Sequence, residues 1–272
     1  MKRNAAWLIL LAGLACGDGT GPTDVTFGQT TFVVLANPIV NELNEATVPT
    51  PGTTRSGVSV SVAGGPSGNT DANGVVVLSP IAAGAKTLSL SGGGASGDVS
   101  VSIADKDLRE VAVALSGSTA QVMANILYAF GGTVVEITPS MSLAEVNAAL
   151  AQSGTIVFFK VGTYSGDLNF AGSGVTLFGE GNQGGSVTLN GNVTVDGSGN
   201  RIRGARITGN LTVPGSQFGM AFSRVVGAFS MEGSGGTLLN NAFCGTVTIA
   251  GSGARLLGNA GLQPIPEPTG GC

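Results

Sequence analysis

Glycines at Gly191, Gly209, Gly227 and Gly245 open four consecutive segments at a strict spacing of 18 residues. A period of that length belongs to chains that wind into stacked coils, where each coil buries its apolar side against its neighbours instead of around one central core. The units read GNVTVDGSGNRIRGARIT, GNLTVPGSQFGMAFSRVV, GAFSMEGSGGTLLNNAFC and GTVTIAGSGARLLGNAGL. A fifth, GDLNFAGSGVTLFGEG, opens at Gly166, 25 residues before Gly191. The surplus is expected to loop out around Gly181–Gly185, because stacked coils accept insertions at their corners.

Counted from each opening glycine, the third position holds Leu168, Val193, Leu211, Phe229 and Val247, and the fifth holds Phe170, Val195, Val213, Met231 and Ile249. Between them stand Asn169, Thr194, Thr212, Ser230 and Thr248. This is the two-residue alternation of a strand that is dry on one face, so the two apolar ranks point inward. A third inward rank, Leu177, Ile202, Met220, Leu238 and Leu256, follows a Gly-Ser corner at Gly172, Gly197, Gly215, Gly233 and Gly251, where a side chain would obstruct the bend. Five coils stacked in parallel at about 4.8 Å predict a prism roughly 24 Å tall.

The open ends of such a stack invite further strands and need covers. Ser142 and Glu145 form a Ser-x-x-Glu capping box, and Leu143, Val146 and Leu150 fall on one face of the helix that it starts, an N-terminal lid. The lid runs as Glu145-Val146-Asn147-Ala148-Ala149-Leu150 into an apolar strand and then Val161-Gly162-Thr163-Tyr164-Ser165-Gly166. Here the chain resembles right-handed parallel β-helix proteins of the pectin-lyase-like superfamily, in which a similar helix precedes a "pGtYsG" turn into the first coil. The family's proline is Val161 in this chain. The resemblance covers about residues 140–262 and implies architecture; the fold carries many functions.

The N-terminus supplies an address. Lys2 and Arg3 precede an uncharged run from Ala5 to Ala15 and then Cys16, the layout of an export signal, and the run is too short to span a bilayer. Leu11 to Cys16 resembles a bacterial lipobox, with Gly13 where the family has leucine; the resemblance implies that Cys16 is acylated and becomes the first mature residue. Ordinary secretion is the alternative. Gly17 to Thr23 then forms a flexible tether, and the lipoprotein resemblance, with Gly17 where an aspartate would mark inner-membrane retention, implies the outer membrane.

With Cys16 lipidated, Cys244 and Cys272 are the pair left to bond in an oxidising compartment, pinning the tail Gln263–Gly271 over the C-terminal end. A free Cys244 with a loose tail is the alternative.

Between tether and lid the composition changes. Short Val- and Ser-rich runs at Gly57–Val62, Val75–Leu78, Lys86–Leu90, Val99–Ile103 and Val111–Leu115, separated by turn signals, predict a small antiparallel β-sandwich over residues 24–117, followed by a connector at 118–139. Gly68 to Val75 and Ala83 to Leu88 resemble carboxypeptidase regulatory-like domains, which implies a structural spacer or adhesion element.

The chain has no histidine, which excludes histidine chemistry. Loss of Lys2 and Arg3 with the signal leaves 10 basic side chains against 16 acidic ones. A mature net charge of −6 is unsuited to nucleic acid. The coils hold four acids, Asp167, Glu180, Asp196 and Glu232. Asp196 and Glu232 share the sixth position two coils apart, about 10 Å, just beyond the separation of inverting glycosidases. Arg206 and Arg224 share the sixteenth position in adjacent coils and are candidates to hold an anion, or simply solvated arginines. The Asn-Thr-Thr-Ser-Thr file is explained by strand propensity. No metal site or cofactor is predicted.

The sequence thus predicts an all-β, lipid-anchored cell-envelope protein: a sandwich, then a capped β-helix at 140–262, then a tail at 263–272. Its expected role is non-catalytic, structural or adhesive, with polysaccharide or envelope proteins as partners. The alternative is a carbohydrate-active or polysaccharide-binding β-helix.

Overall fold

The computed structural model describes residues 31–36, 40–42, 56–71, 74–104, 107–130, 133–180, 186–259 and 261 of the chain. The signal, the tether, Cys16, the 181–185 loop, Cys272 and the tail lie outside them.

The repeat region is a parallel β-solenoid whose coils have three faces. The first face stacks Val134–Ile137, Ile156–Phe159, Thr176–Gly179, Arg201–Arg203, Gly219–Ala221, Thr237–Leu239 and Arg255–Leu257. The second stacks Gly162–Ser165, Val187–Asn190, Ala205–Ile207, Arg224–Val225 and Ala242–Phe243, and the third Leu168–Phe170, Val193–Val195, Leu211–Val213, Phe229–Met231 and Val247–Ile249. The expected five coils therefore become about 7 turns, because the first face continues below the glycine repeat. Its two lowest strands, IVFF and VVEI, precede any corner glycine and carry no repeat signature.

The predicted inward ranks are buried: Leu168, Val193, Leu211 and Phe229, then Phe170, Val195, Val213 and Met231, then Leu177, Ile202, Met220, Leu238 and Leu256. The second face adds a fourth file, Tyr164, Leu189, Ile207, Val225 and Phe243, in the same core. The surplus of the longer unit falls between Gly179 and Val187, after which Val187 regains register with Gly162.

The corner glycines have a different cause from the one expected. Gly197, Gly215, Gly233 and Gly251 do not have positive φ; a Cβ on each would collide with the carbonyl oxygen of the corner glycine one coil below. The opening glycines at 191, 209, 227 and 245 form a second such ladder. Left-handed backbone occurs two residues past the corner instead, at Gly174, Gly199, Gly235 and Gly253, with Gln217 (φ 58°) taking the place of glycine in one coil.

Helix Leu143–Leu150 opens on the predicted capping box: Ser142 Oγ accepts from Glu145 N–H, and Glu145 Oε2 accepts from Ser142 N–H at 2.7 Å. Val146, Ala149 and Leu150 are buried, whereas Leu143 is 40 % exposed. The helix lies under the lowest strand of the third face, where Asn147 Oδ1 accepts from Asn169 N–H at 2.8 Å and Asn147 Nδ2 donates to Asp167 O at 3.2 Å. One side chain thus satisfies backbone groups that would otherwise form an open edge.

Before the helix, two four-stranded sheets pack into a sandwich. The outer sheet orders Ser67–Asn69, Ser59–Val62, Gly84–Gly92 and Ala95–Ile103. The inner orders Val75–Leu78, Thr31–Ala36, Asp107–Ser116 and Thr119–Phe130. All pairs are antiparallel except Thr31–Ala36 with Asp107–Ser116, which run parallel. The stretch expected as a connector holds the long strand Thr119–Phe130 and the lowest solenoid strand.

The inner sheet is covered twice. One side faces the outer sheet through Val60, Leu88, Leu90, Val111 and Val113. The other side, through Leu108, Ala112, Ala124, Ile126 and Tyr128, packs on the outside of the solenoid's first face at Phe178, Ala221, Phe222, Leu239 and Leu257. Strand Val40–Glu42 then pairs antiparallel with the last solenoid strand, Val40 opposite Leu257.

Gly233→Ala is expected to lower stability by at least about 2 kcal/mol, because the coil stack must part to admit a methyl group. Gln217→Gly should raise it by up to about 1 kcal/mol by removing left-handed strain. Thermal or denaturant unfolding checks both.

Candidate functional site

The predicted ligand residues occupy two separate places. Arg206 and Arg224 pair in register on the second face, both half-buried, with Thr188 below them in the same file. Neither is without a partner. Asp196 and Glu232 are exposed at the corner that follows the third face, and Pro214 stands between them in the stack. Acids and arginines are therefore divided between different sides of the prism and do not face one another across a groove. The 181–185 loop, the remaining element of the expected groove, lies outside the described residues.

Asp167 and Glu180 serve the backbone. Asp167 Oδ1 accepts from Asn192 N–H at 2.8 Å, Asn192 Oδ1 from Asn210 N–H at 3.0 Å, and Asn210 Oδ1 from Ala228 N–H at 2.9 Å, a ladder up one corner. Glu180 accepts from Lys160 Nζ at 2.5 Å and from Val161 N–H at 2.8 Å. These two bonds hold its carboxyl below the usual carboxylate range. The second explains Val161: proline, the residue of the resembled family, has no N–H to give.

The strongest concentration of chemistry lies where sequence reasoning did not look, between sandwich and solenoid. Glu110, from the inner sheet, is 0 % exposed, Arg203, from the first face, 1 %, and Tyr128, from the neighbouring strand, 2 %. Tyr128 Oη donates to Glu110 Oε2 at 2.5 Å, and Arg203 Nε stands 3.5 Å from the same oxygen. Thr176 Oγ1 donates to the Tyr128 carbonyl. The Arg203 guanidinium carbon lies 5.1 Å from the ring centre of Phe178, one coil below, and 5.1 Å from that of Phe222, one coil above. Phe222 presents its ring from left-handed backbone (φ 47°), a conformation a bulky residue adopts only where its surroundings enforce it.

Such a cluster holds two bodies in one orientation. Buried polar and charged groups that lose their partners are strongly destabilising, so the sandwich cannot slide on the solenoid without breaking these contacts. Burial raises the Glu110 carboxyl above its ordinary range, against the opposing effects of Arg203 and of the Tyr128 hydroxyl, and burial raises the Tyr128 phenol as well. Glu110 Oε1 and Arg203 Nε lack hydrogen-bond partners among the described residues.

A signal for this interface was present in the repeat. The outward position after the third inward rank reads Phe178, Arg203, Ala221, Leu239 and Leu257, where the third face has Asn, Thr and Ser. An apolar outward file means a covered face.

No protein-family profile matches the chain, and no curated protein matches it. Among solved structures it is similar to a chain of a type II cohesin–X–dockerin complex from Acetivibrio cellulolyticus, at 22 % identity over 34 % of this chain. The match spans 58 % of that chain, with a TM-score of 0.24.

Because the fold favours protonated Glu110, the stability this group confers is fully present below about pH 4.5 and is lost as pH rises through its raised value. The melting temperature of Glu110→Gln minus that of the wild type should therefore increase with pH from about 4.5 upward; a flat difference would show that the fold does not raise the Glu110 carboxyl. Tyr128→Phe, which strips Glu110 of its hydrogen bond, should cost about 1–3 kcal/mol at neutral pH by the same measurement.

Proposed function

We propose that the chain is a lipid-anchored module of the bacterial cell envelope, non-catalytic, whose solenoid serves as a rigid structural or adhesive surface. The observation that carries this reading is the use of the buried ionisable groups: Glu110, Tyr128 and Arg203 fasten one body to the other. A surface that bears load or presents a binding face needs fixed geometry between its parts, and this arrangement supplies it.

The division of acids and arginines between sides of the prism supports the same reading. Acid–base cleavage of a glycan needs two carboxyls flanking one bond. Asp196 and Glu232 stand two coils apart with Pro214 between, roughly 10 Å at coil spacing. Residues 16–23 hold the folded part off the membrane on a tether, with the anchor at Cys16 and the outer membrane favoured by Gly17. The sandwich, similar in Gly68–Val75 and Ala83–Leu88 to carboxypeptidase regulatory-like domains, is the spacer between tether and solenoid.

Two measurements test the reading. Fatty-acid labelling in a bacterial host should mark the wild type and vanish in Cys16→Ser, with the unlabelled protein leaving the membrane fraction. Incubation of that released protein with pectin and alginate should yield no new chain ends. Cleavage abolished by Asp196→Asn or Glu232→Gln would replace the scaffold reading with the carbohydrate-active one.

A further inference from the structure

We propose that the lowest strand of the first face, Val134–Ile137, is a docking edge for one extended segment of another protein, a strand in which apolar residues alternate with lysine or arginine. This edge goes beyond the scaffold reading above and serves whether or not the chain is lipid-anchored.

Val134–Ile137 has one neighbour among the described residues, the strand Ile156–Phe159 above it. The Thr133 and Ile137 carbonyls turn toward that neighbour and accept from Ile156 N–H and Lys160 N–H at 2.9 Å each. Successive residues of a strand direct their peptide groups to opposite sides, so the N–H and C=O of Val134 and Glu136 face downward, off the end of the stack. Both residues are exposed.

Apolar surface gathers at the same end. Val134 (38 %), Leu143 (40 %) and Val161 (55 %) are the exposed large apolar side chains among the described residues, and all three lie in the two lowest turns. The sandwich reaches down to Ile156, which is buried against it, whereas Val134, in register one strand below, is left uncovered.

The same sheet already carries an added strand at its other edge, where Val40–Glu42 pairs antiparallel with Arg255–Leu257. A strand added below would bond through its main chain to Val134 and Glu136, with its side chains alternating between the inner side of Val135 and the outer side of Val134 and Glu136.

Charge selects the occupant. Residues 133–180 hold four acids and one base, and the base, Lys160, is paired with Glu180. Glu136, Glu145 and Asp167 are exposed and have no cation beside them among the described residues. A second copy fits poorly: lower end against lower end brings these acids against their own counterparts, and the upper edge that a head-to-tail copy would need lies under Val40–Glu42. Glu136 likewise turns away acidic strands, whereas a lysine or arginine opposite it satisfies both the ladder and the charge.

The test is hydrogen exchange on the full-length protein with two synthetic peptides of equal length, one alternating lysine with valine and the other glutamate with valine. The lysine peptide should slow exchange at the Val134 and Glu136 amides about tenfold or more, and the effect should shrink as salt rises. Glu136→Lys should transfer the protection to the glutamate peptide. Glu136→Pro, which removes a downward N–H and leaves the bonds to Ile156–Phe159 in place, should keep the melting temperature and lose most of the protection at Val134. Equal protection by both peptides, protection by neither, or protection in the protein alone that grows with its concentration, the mark of a second copy, would overturn the proposal. Each of these outcomes leaves the scaffold reading to its own tests at Cys16 and with glycans.

Discussion

The coils of this protein approach so closely at two corners that a glycine carbonyl of one coil occupies the space a Cβ of the next would need. That constraint sets the rest. With both corners fixed, the side chains between them fall in register, and the files of Leu, Val, Ile, Phe and Met inside the prism follow from the stacking. Like residues over like also decide what polar groups can do: asparagines placed one above another bond to the next coil's backbone, as in the ladder through Asn192 and Asn210 and in the buried pair Asn241 and Asn259. Polar side chains that line up along a stack satisfy the stack before they can serve a ligand.

The same periodicity makes the first face exceptional. Its outward file is apolar apart from Arg203, and the inner sheet of the sandwich lies over it. Hydrophobic contact alone is non-directional and would tolerate sliding along the file. The Glu110, Tyr128 and Arg203 cluster removes that freedom, because its buried polar groups meet in one placement only. Phe178 and Phe222, from the coils on either side, hold the guanidinium that the sandwich must meet. The solenoid therefore prepares its half of the lock by stacking, and the sandwich brings one carboxyl and one phenol to it.

What could be read in the sequence was what repeats. The inward ranks from Leu168 to Ile249, the third rank from Leu177 to Leu256, the capping box at Ser142 and Glu145, and the sandwich strands at Ser59–Val62, Val75–Leu78, Gly84–Gly92, Ala95–Ile103 and Asp107–Ser116 all announce themselves by period or by local bonding. Elements that occur once were not legible. Strand Ile156–Phe159 is an apolar run without its corner glycine, the helix stands where the second and third faces of its coil would be, and Thr119–Phe130 has no turn signal inside to mark it as a strand longer than its neighbours. Glu110 and Arg203 are separated by most of a hundred residues, and only the folded chain shows them to be partners. The corner glycines were legible as necessary, although their reason was the coil below and not the bend.

The two described covers of the stack differ in kind, and the difference bears on how the molecule stays finite. At the lower end Asn147 imitates a backbone, giving and taking the bonds of the strand above it from a helix that cannot extend the ladder. At the upper end Val40–Glu42 runs antiparallel to Arg255–Leu257, so it completes the first face in a direction no solenoid strand could continue. Only three residues separate Val40 from Ala36 in the inner sheet, a span of at most about 14 Å. The sandwich must therefore already lie against the first face for its N-terminal strand to reach the last coil. Capping thus requires docking, and a chain whose sandwich failed to seat would leave the upper end of the first face open to other strands.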